Sequence, residues 1–432
     1  MSALLAVMGA VDEFGRGLLK PLGAPAGRIE AFIEVPFKVN NVSLRPDGIV
    51  SVTRGSTTWT ALIEGKTALN TIEPAQLDLY IDLARELDFD CVLTISNQFA
   101  SSSNAYPVEI DRRRLRKVAL HHWSWVDILT EAVVQKDYRG VADRDQAYIL
   151  GELIRYLSDP RSGVMGFASM GQSWTAVRDG ARAGSLRSGD SAVIAVAARW
   201  DDLMRYVALD LTRELGRDVR QILSPKERTA EGRQQALQLS LAERGVLYGE
   251  LSIPSAAGTI QLVADLRARE ISATTRIDAP QDGRSRGRVS WLMRQLANAP
   301  ELLKIESRAA YATDTLACSL AEARSKPEGL FPAGDREIKE FRLTLSKVPG
   351  SNRDSGKGSF ADGVVDLTKQ FYGQVLQPLH AWKEPAPKLV PRHPETTEVE
   401  ERVVETIPAI APAVREAQSE ARLADVDADT PD

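Results

Sequence analysis

Asp47, Glu64 and Lys66 are the residues whose types and spacing point most directly to chemistry. Hydrolysing a phosphodiester requires neutralising charge on the reacting phosphate and generating hydroxide near neutral pH. A magnesium ion held by two carboxylates does both, and a nearby lysine stabilises the developing charge or positions the attacking water. Such ligands must converge from adjacent strands on one side of a sheet. Residues 45–66 offer that arrangement. Arg45-Pro46-Asp47-Gly48 stands at the head of one β-rich run, and Leu62-Ile63-Glu64-Gly65-Lys66 closes the next. On a strand, Glu64 and Lys66 are two apart and point to the same face.

The positioning elements follow from period and punctuation. Residues 48–53 and 58–63 read as strands separated by the turn-like Arg54-Gly55-Ser56. A helix begins near Pro74, a proline at the first helical position with Glu73 before it, and carries Leu77, Leu79, Tyr80, Leu83 and Leu87. Residues 90–96 read as a buried strand, and residues 115–125 supply another. With a helical start, the order helix, strand, strand, helix, strand predicts an α/β layer.

Pro46-Asp47 followed by Glu64-Gly65-Lys66 resembles the PD-(D/E)XK signature of restriction-endonuclease-like nucleases. Gln76-Leu77-Asp78-Leu79-Tyr80 is similar to the Q-x-x-x-Y motif of the RecB-like branch. The resemblance covers about residues 28–130. It implies a restriction-endonuclease-like α/β core with a central mixed sheet, and a metal-dependent nuclease acting on DNA rather than RNA. It further implies Asp47 and Glu64 as ligands of Mg²⁺ (or Mn²⁺), the Gly65 carbonyl as a further ligand, and Lys66 as the catalytic lysine. Gln76 and Tyr80, four apart on one helical face, are expected to orient the site and contact substrate. Members of the family commonly add an acidic residue from the first helix; Glu34, which stands before Val35-Pro36 at an expected helix end, is the first candidate and Glu30 the second.

Each of these residues also has a plain reading: Asp47 as a turn residue, Glu64 and Lys66 as a solvated ion pair, Gln76 and Tyr80 as helix surface and core. Their joint occurrence is what that reading explains poorly. The alternatives to a nuclease are a catalytically inactive binding module of the same fold, against which the complete triad argues, or a stress-related interaction protein in which the motif is coincidental.

Arg112, Arg113 and Arg114, with Arg116 and Lys117, form a basic cluster suited to phosphate contacts or to a solvated charge run. His121-His122-Trp123-Ser124-Trp125 either brings an imidazole near the site or packs as a strand. Asn97 and Gln98 follow a strand end, where α/β folds often carry function. The stretch 350–359 does not make a phosphate-binding loop, because Gly358 follows Lys357 where Ser or Thr is required. Arginines at 267, 269, 276, 284, 286, 288 and 294 make that region basic, as a second nucleic-acid surface or as ordinary exposed side chains.

Composition bounds the rest. The 432 residues suffice for two or three units, with 43% hydrophobic and 26% charged residues, as in globular proteins. Cys91 and Cys318 lie far apart, which fits a reducing cytoplasm, and with only four histidines zinc chemistry is not expected. The apolar run from Ala3 to Met8 reaches Asp12 too soon to span a bilayer, so no membrane partner is expected. From Glu384 onward there are 12 acidic and 5 basic residues, net −7, which leaves +2 on residues 1–383 of the formal −5. The chain's acidity therefore does not oppose a nucleic-acid partner for the folded part. The expected organisation is a nuclease-like domain over residues 1–135, a mixed α+β domain over 136–383 that selects substrate or a protein partner, and a disordered, acidic Pro/Glu-rich tail over 384–432, itself a candidate partner site.

Overall fold

The N-terminal apolar run folds as helix α1 (Ser2–Ala10) and continues into α2 (Asp12–Leu19), with Leu4, Leu5, Met8, Phe14 and Leu19 turned inward. The computed structural model describes residues 1–39, 42–68, 70–99, 106, 110–167, 169–334, 336–350 and 356–383. The expected acidic tail lies outside them, as does part of the stretch 350–359.

Strand β1 (Arg28–Ile33) follows, then a two-stranded ribbon of β2 (Phe37–Val39) and β3 (Val42–Leu44), then β4 (Gly48–Arg54) and β5 (Thr57–Gly65). The β4–β5 turn holds two residues, and Gly55 takes the left-handed φ of 61° that such a hairpin favours and a side chain would resist. Helix α3 (Pro74–Glu86) starts at its proline as expected and crosses to β6 (Cys91–Ser96); β7 (Ala119–Ser124) completes a mixed sheet of order β1-β4-β5-β6-β7. Strands β1, β4 and β5 pair antiparallel, while β5, β6 and β7 pair parallel.

The sheet is covered on both faces, which is why Ala61-Leu62-Ile63 and Cys91-Val92-Leu93 are continuously apolar rather than alternating. Leu62, Val92 and Leu120 face Leu77, Tyr80 and Ile81 of α3. Ala61, Ile63, Leu93 and Ile95 face the opposite layer, built from α1, α2, α4 (Trp125–Val134) and α5 (Arg144–Ser158). The run expected to remain a strand through residue 125 instead ends at Ser124. Ser124 and Asp127 form a reciprocal capping box that starts α4 at Trp125. Leu150, Leu153 and Leu157 of α5 join this first core, which therefore reaches past the boundary expected at residue 135.

Beyond it, α6 (Trp174–Ala183), α7 (Ser191–Leu215), β8 (Arg220–Gln221), α8 (Ala230–Arg244), β9 (Val246–Ser252), β10 (Ile260–Asp265) and β11 (Glu270–Asp278) follow in order. They lead to α9 (Ser285–Gln295), β12 (Lys304–Ala309), β13 (Thr315–Ser319), α10 (Leu320–Ser325), β14 (Ile338–Lys347) and α11 (Phe360–Phe371). The strands make an antiparallel sheet of order β13-β12-β14-β11-β10-β9-β8. Period-two alternation buries Ile271, Ala273 and Ile277 in one core with Trp200 and Phe371, while Glu270, Arg276 and Asp278 face outward. Met1–Glu384 form one compact unit. No helix among the described residues is long and apolar enough to cross a membrane.

Candidate active site

Strand register brings the two carboxylates together. Gly48 pairs with Ile63 across β4 and β5, so one step further Asp47 stands against Glu64, and Glu64 stands beside Thr94 on β6. Asp47 Oδ2 accepts the Gly65 backbone N–H at 2.7 Å, which ties the head of β4 to the end of β5. Lys66 lies one residue past β5. Its backbone N–H donates to the Ile95 carbonyl at 2.7 Å, and its own carbonyl accepts from Trp125 Nε1 at 2.8 Å.

Glu64 is 5% exposed. Its Oε1 accepts from Lys66 Nζ at 2.8 Å and from Gln76 Nε2 at 3.1 Å. Gln76 Oε1 accepts a further hydrogen bond from Lys66 Nζ at 3.1 Å, and Gln76 Nε2 also donates to Tyr80 OH at 3.0 Å. The carboxamide thus presents its oxygen to the ammonium and its NH₂ to the carboxylate, the only assignment that satisfies all three partners. Burial first, and then the Glu64 carboxylate, push the Tyr80 phenol up to about 12, so it stays protonated at neutral pH.

Glu64 Oε2 is buried and has no hydrogen-bond partner among the described residues. Leaving a buried carboxylate oxygen unpaired is costly, and a cation at that oxygen would relieve it without displacing Lys66 or Gln76. The oxygens nearby, those of Asp47, Glu64 and the Gly65 carbonyl, are hard donors of the kind Mg²⁺ takes. That ion is commonly held by one or two carboxylates, with substrate phosphate and water completing its shell. Among the described residues no three or more His, Cys, Asp or Glu cluster as a ready metal cage.

Of the other expected residues, Glu34 lies next to Asp47, whose backbone carbonyl accepts the Glu34 N–H at 3.2 Å. Glu34 and Glu30 are not helical: Glu30 sits on β1 opposite Ser51, and Glu34 follows that strand with a positive φ of 51°. Pairing of Arg28–Ile33 with β4 overrides any helical reading there. The Glu34 carboxylate pairs with Arg45 at 2.7 Å, and that of Glu30 with Arg28 at 3.2 Å. Arg114 is bound by Asp78 at 2.6 Å and Asp82 at 2.7 Å, which fastens the 3₁₀ turn Arg112–Leu115 onto α3. Arg113 is exposed, and the Arg112 side chain lies outside the described structure.

Two contributors had no motif to reveal them. Trp125 holds the Lys66 carbonyl from a different layer. His122, in the cross-strand row with Glu64 and Thr94, is driven toward its neutral form by burial. Its Nε2 lies 3.0 Å from the Gln98 carbonyl, which can only accept, so Nε2 carries the proton and Nδ1 accepts from Thr94 Oγ1 at 2.8 Å. His122 therefore pins the loop after β6 rather than acting as a free base. Asn97 serves the same loop, donating to the carbonyls of Ala68 at 2.9 Å and Gly163 at 2.8 Å.

No protein-family model, curated protein or solved structure matches the chain.

Proposed function

We propose that this protein is a metal-dependent phosphodiesterase of the PD-(D/E)XK type, cutting nucleic acid, DNA in preference to RNA, at the end of β4 and β5. The observation that carries the reading is the unpaired, buried Glu64 Oε2 beside a lysine and a glutamine that already satisfy the other oxygen of the same carboxylate.

Asp47, Glu64 and the Gly65 carbonyl would hold Mg²⁺ or Mn²⁺, which when bound neutralises phosphate charge and generates hydroxide near neutral pH. Lys66 places its ammonium beside that position and stabilises charge developing on the phosphate. Gln76 fixes the lysine and the glutamate relative to each other, and Tyr80, kept protonated, supports Gln76 from below. Trp125 and Ile95 fix the Lys66 backbone from either side. The supports are themselves anchored on strands and helices, as a site of fixed geometry requires.

Titration calorimetry with Mn²⁺ tests the reading without needing a substrate. Saturable binding to the wild type that is lost in Asp47→Asn and Glu64→Gln supports it. Absence of binding to correctly folded wild type removes it.

A further inference from the structure

On the other sheet, the outward face of the seven strands carries an arrangement that a solvated surface does not require. Register sets Arg276 of β11 directly opposite Arg342 of β14, whose neighbour on the other side is Glu306 of β12. Like charges directly opposite one another destabilise a strand pair. Among the described residues, neither Arg276 nor Arg342 has a carboxylate within 4.0 Å. The two carboxylates that line the concavity with them are taken, Glu306 by Lys304 at 2.9 Å and Glu340 by Arg308 at 2.9 Å; Asp278, opposite Glu340 on the same face, is not part of the lining.

Arg276, Arg308, Arg342 and Thr315, with those two glutamates, line a concavity of about 150 Å³. Arg308 Nε is buried and has no acceptor among the described residues. A guanidinium has five N–H donors and accepts nothing. Three of them facing two occupied carboxylates leave donors in surplus and acceptors short. The missing component is an oxyanion with several acceptor oxygens, and arginine's fork matches phosphate bidentately.

We infer that this concavity binds a backbone phosphate of nucleic acid. That the phosphate belongs to a nucleic acid rests on the proposed nuclease reading. No aromatic ring lines the concavity to hold a base, and its groups are charged or hydroxyl-bearing, the kind that position a backbone without reading sequence.

The test uses the full chain carrying Lys66→Ala, without divalent metal, so neither cleavage nor metal binding enters. Fluorescence anisotropy of labelled single-stranded and duplex oligonucleotides is followed against salt. Arg276→Gln/Arg342→Gln is expected to weaken binding about tenfold at low salt and to flatten the dependence of log K on log[salt] by about one, the contribution of a single neutralised phosphate. Arg276→Gln alone removes one of two opposed charges, so it is expected to fold and to weaken binding in the same direction by less than the double variant. Unchanged affinity and slope in both variants would overturn the inference. In a second arm, inorganic phosphate is expected to raise the Tm of the parent and not of the double variant. Protection by phosphate together with unchanged oligonucleotide binding would overturn the nucleic-acid assignment. Because the test is metal-free, failure of the catalytic reading leaves its outcome unaffected.

Discussion

Gln76 donates through Nε2 to Oε1 of Glu64 at 3.1 Å, and so holds that carboxylate in a pose that leaves its second oxygen unshared. The contact joins the first turn of α3 to the last residues of β5, two elements separated by a loop. Groups that orient metal ligands in this way are worth about 10–100-fold in affinity or activity. Gln76→Ala is expected to lower Mn²⁺ affinity and cleavage within that range while leaving Tm nearly unchanged. Calorimetry and thermal unfolding on one preparation check both halves.

Trp125→Phe removes the donor to the Lys66 carbonyl. A buried acceptor left without its partner costs about 1–3 kcal/mol, so urea unfolding should report a loss of that size. Asp47 and Glu64 are untouched, so Mn²⁺ affinity should hold while the cleavage rate falls with the displaced lysine. Equal loss of metal affinity and rate would mean that Trp125 supports the whole fold rather than Lys66.

Tyr80 ties stability to alkaline pH. Its folded value, about 12, lies above the ordinary 10.0, so the folded state holds the proton more tightly. The stabilisation this brings is complete below pH 10.0 and is lost as the pH climbs through about 12. The unfolding free energy of wild type relative to Tyr80→Phe is therefore expected to fall across that window. A constant difference would show that the phenol is not held as described.

Much of this geometry was open to reading in the sequence because it depends on local signals. Pro74 at the first helical position, the Gly55 turn and the apolar runs of β5 and β6 each act over a few residues, and together they place Asp47, Glu64, Lys66, Gln76 and Tyr80. What escaped reading depends on distant parts of the chain. Trp125 reaches Lys66 across 59 positions, and Asn97 reaches Gly163 across 66. No spacing rule carries such contacts. Glu34 looked like a helix end only while the pairing of β1, which it follows, with β4 was unknown. Strand β14 is a different case, since Phe341–Ser346 alternates buried and outward side chains at period two, and its place between β11 and β12 is what sequence does not disclose.

A buried ion network supports the second sheet and provides a contrast to the site. Arg233, 3% exposed, donates to Asp201 at 3.0 Å and to Glu227 at 2.7 Å. Breaking such a pair leaves an uncompensated buried charge and costs about 3–5 kcal/mol. Asp201→Ala is expected to lose stability of that order in chemical denaturation while metal affinity stays at the wild-type value below the melting range. Loss of metal binding in the folded variant would show that the two sheets are coupled.

The most direct test of the catalytic account is cleavage of labelled single-stranded, duplex and branched DNA and RNA in Mg²⁺ or Mn²⁺ by wild type, Asp47→Ala and Lys66→Ala. The account predicts metal-dependent cutting by the wild type, suppressed by EDTA and abolished in both variants while their folding is unchanged. Cutting that survives both substitutions would contradict the assignment of the site. No cutting of any substrate by folded wild-type protein would contradict the activity itself.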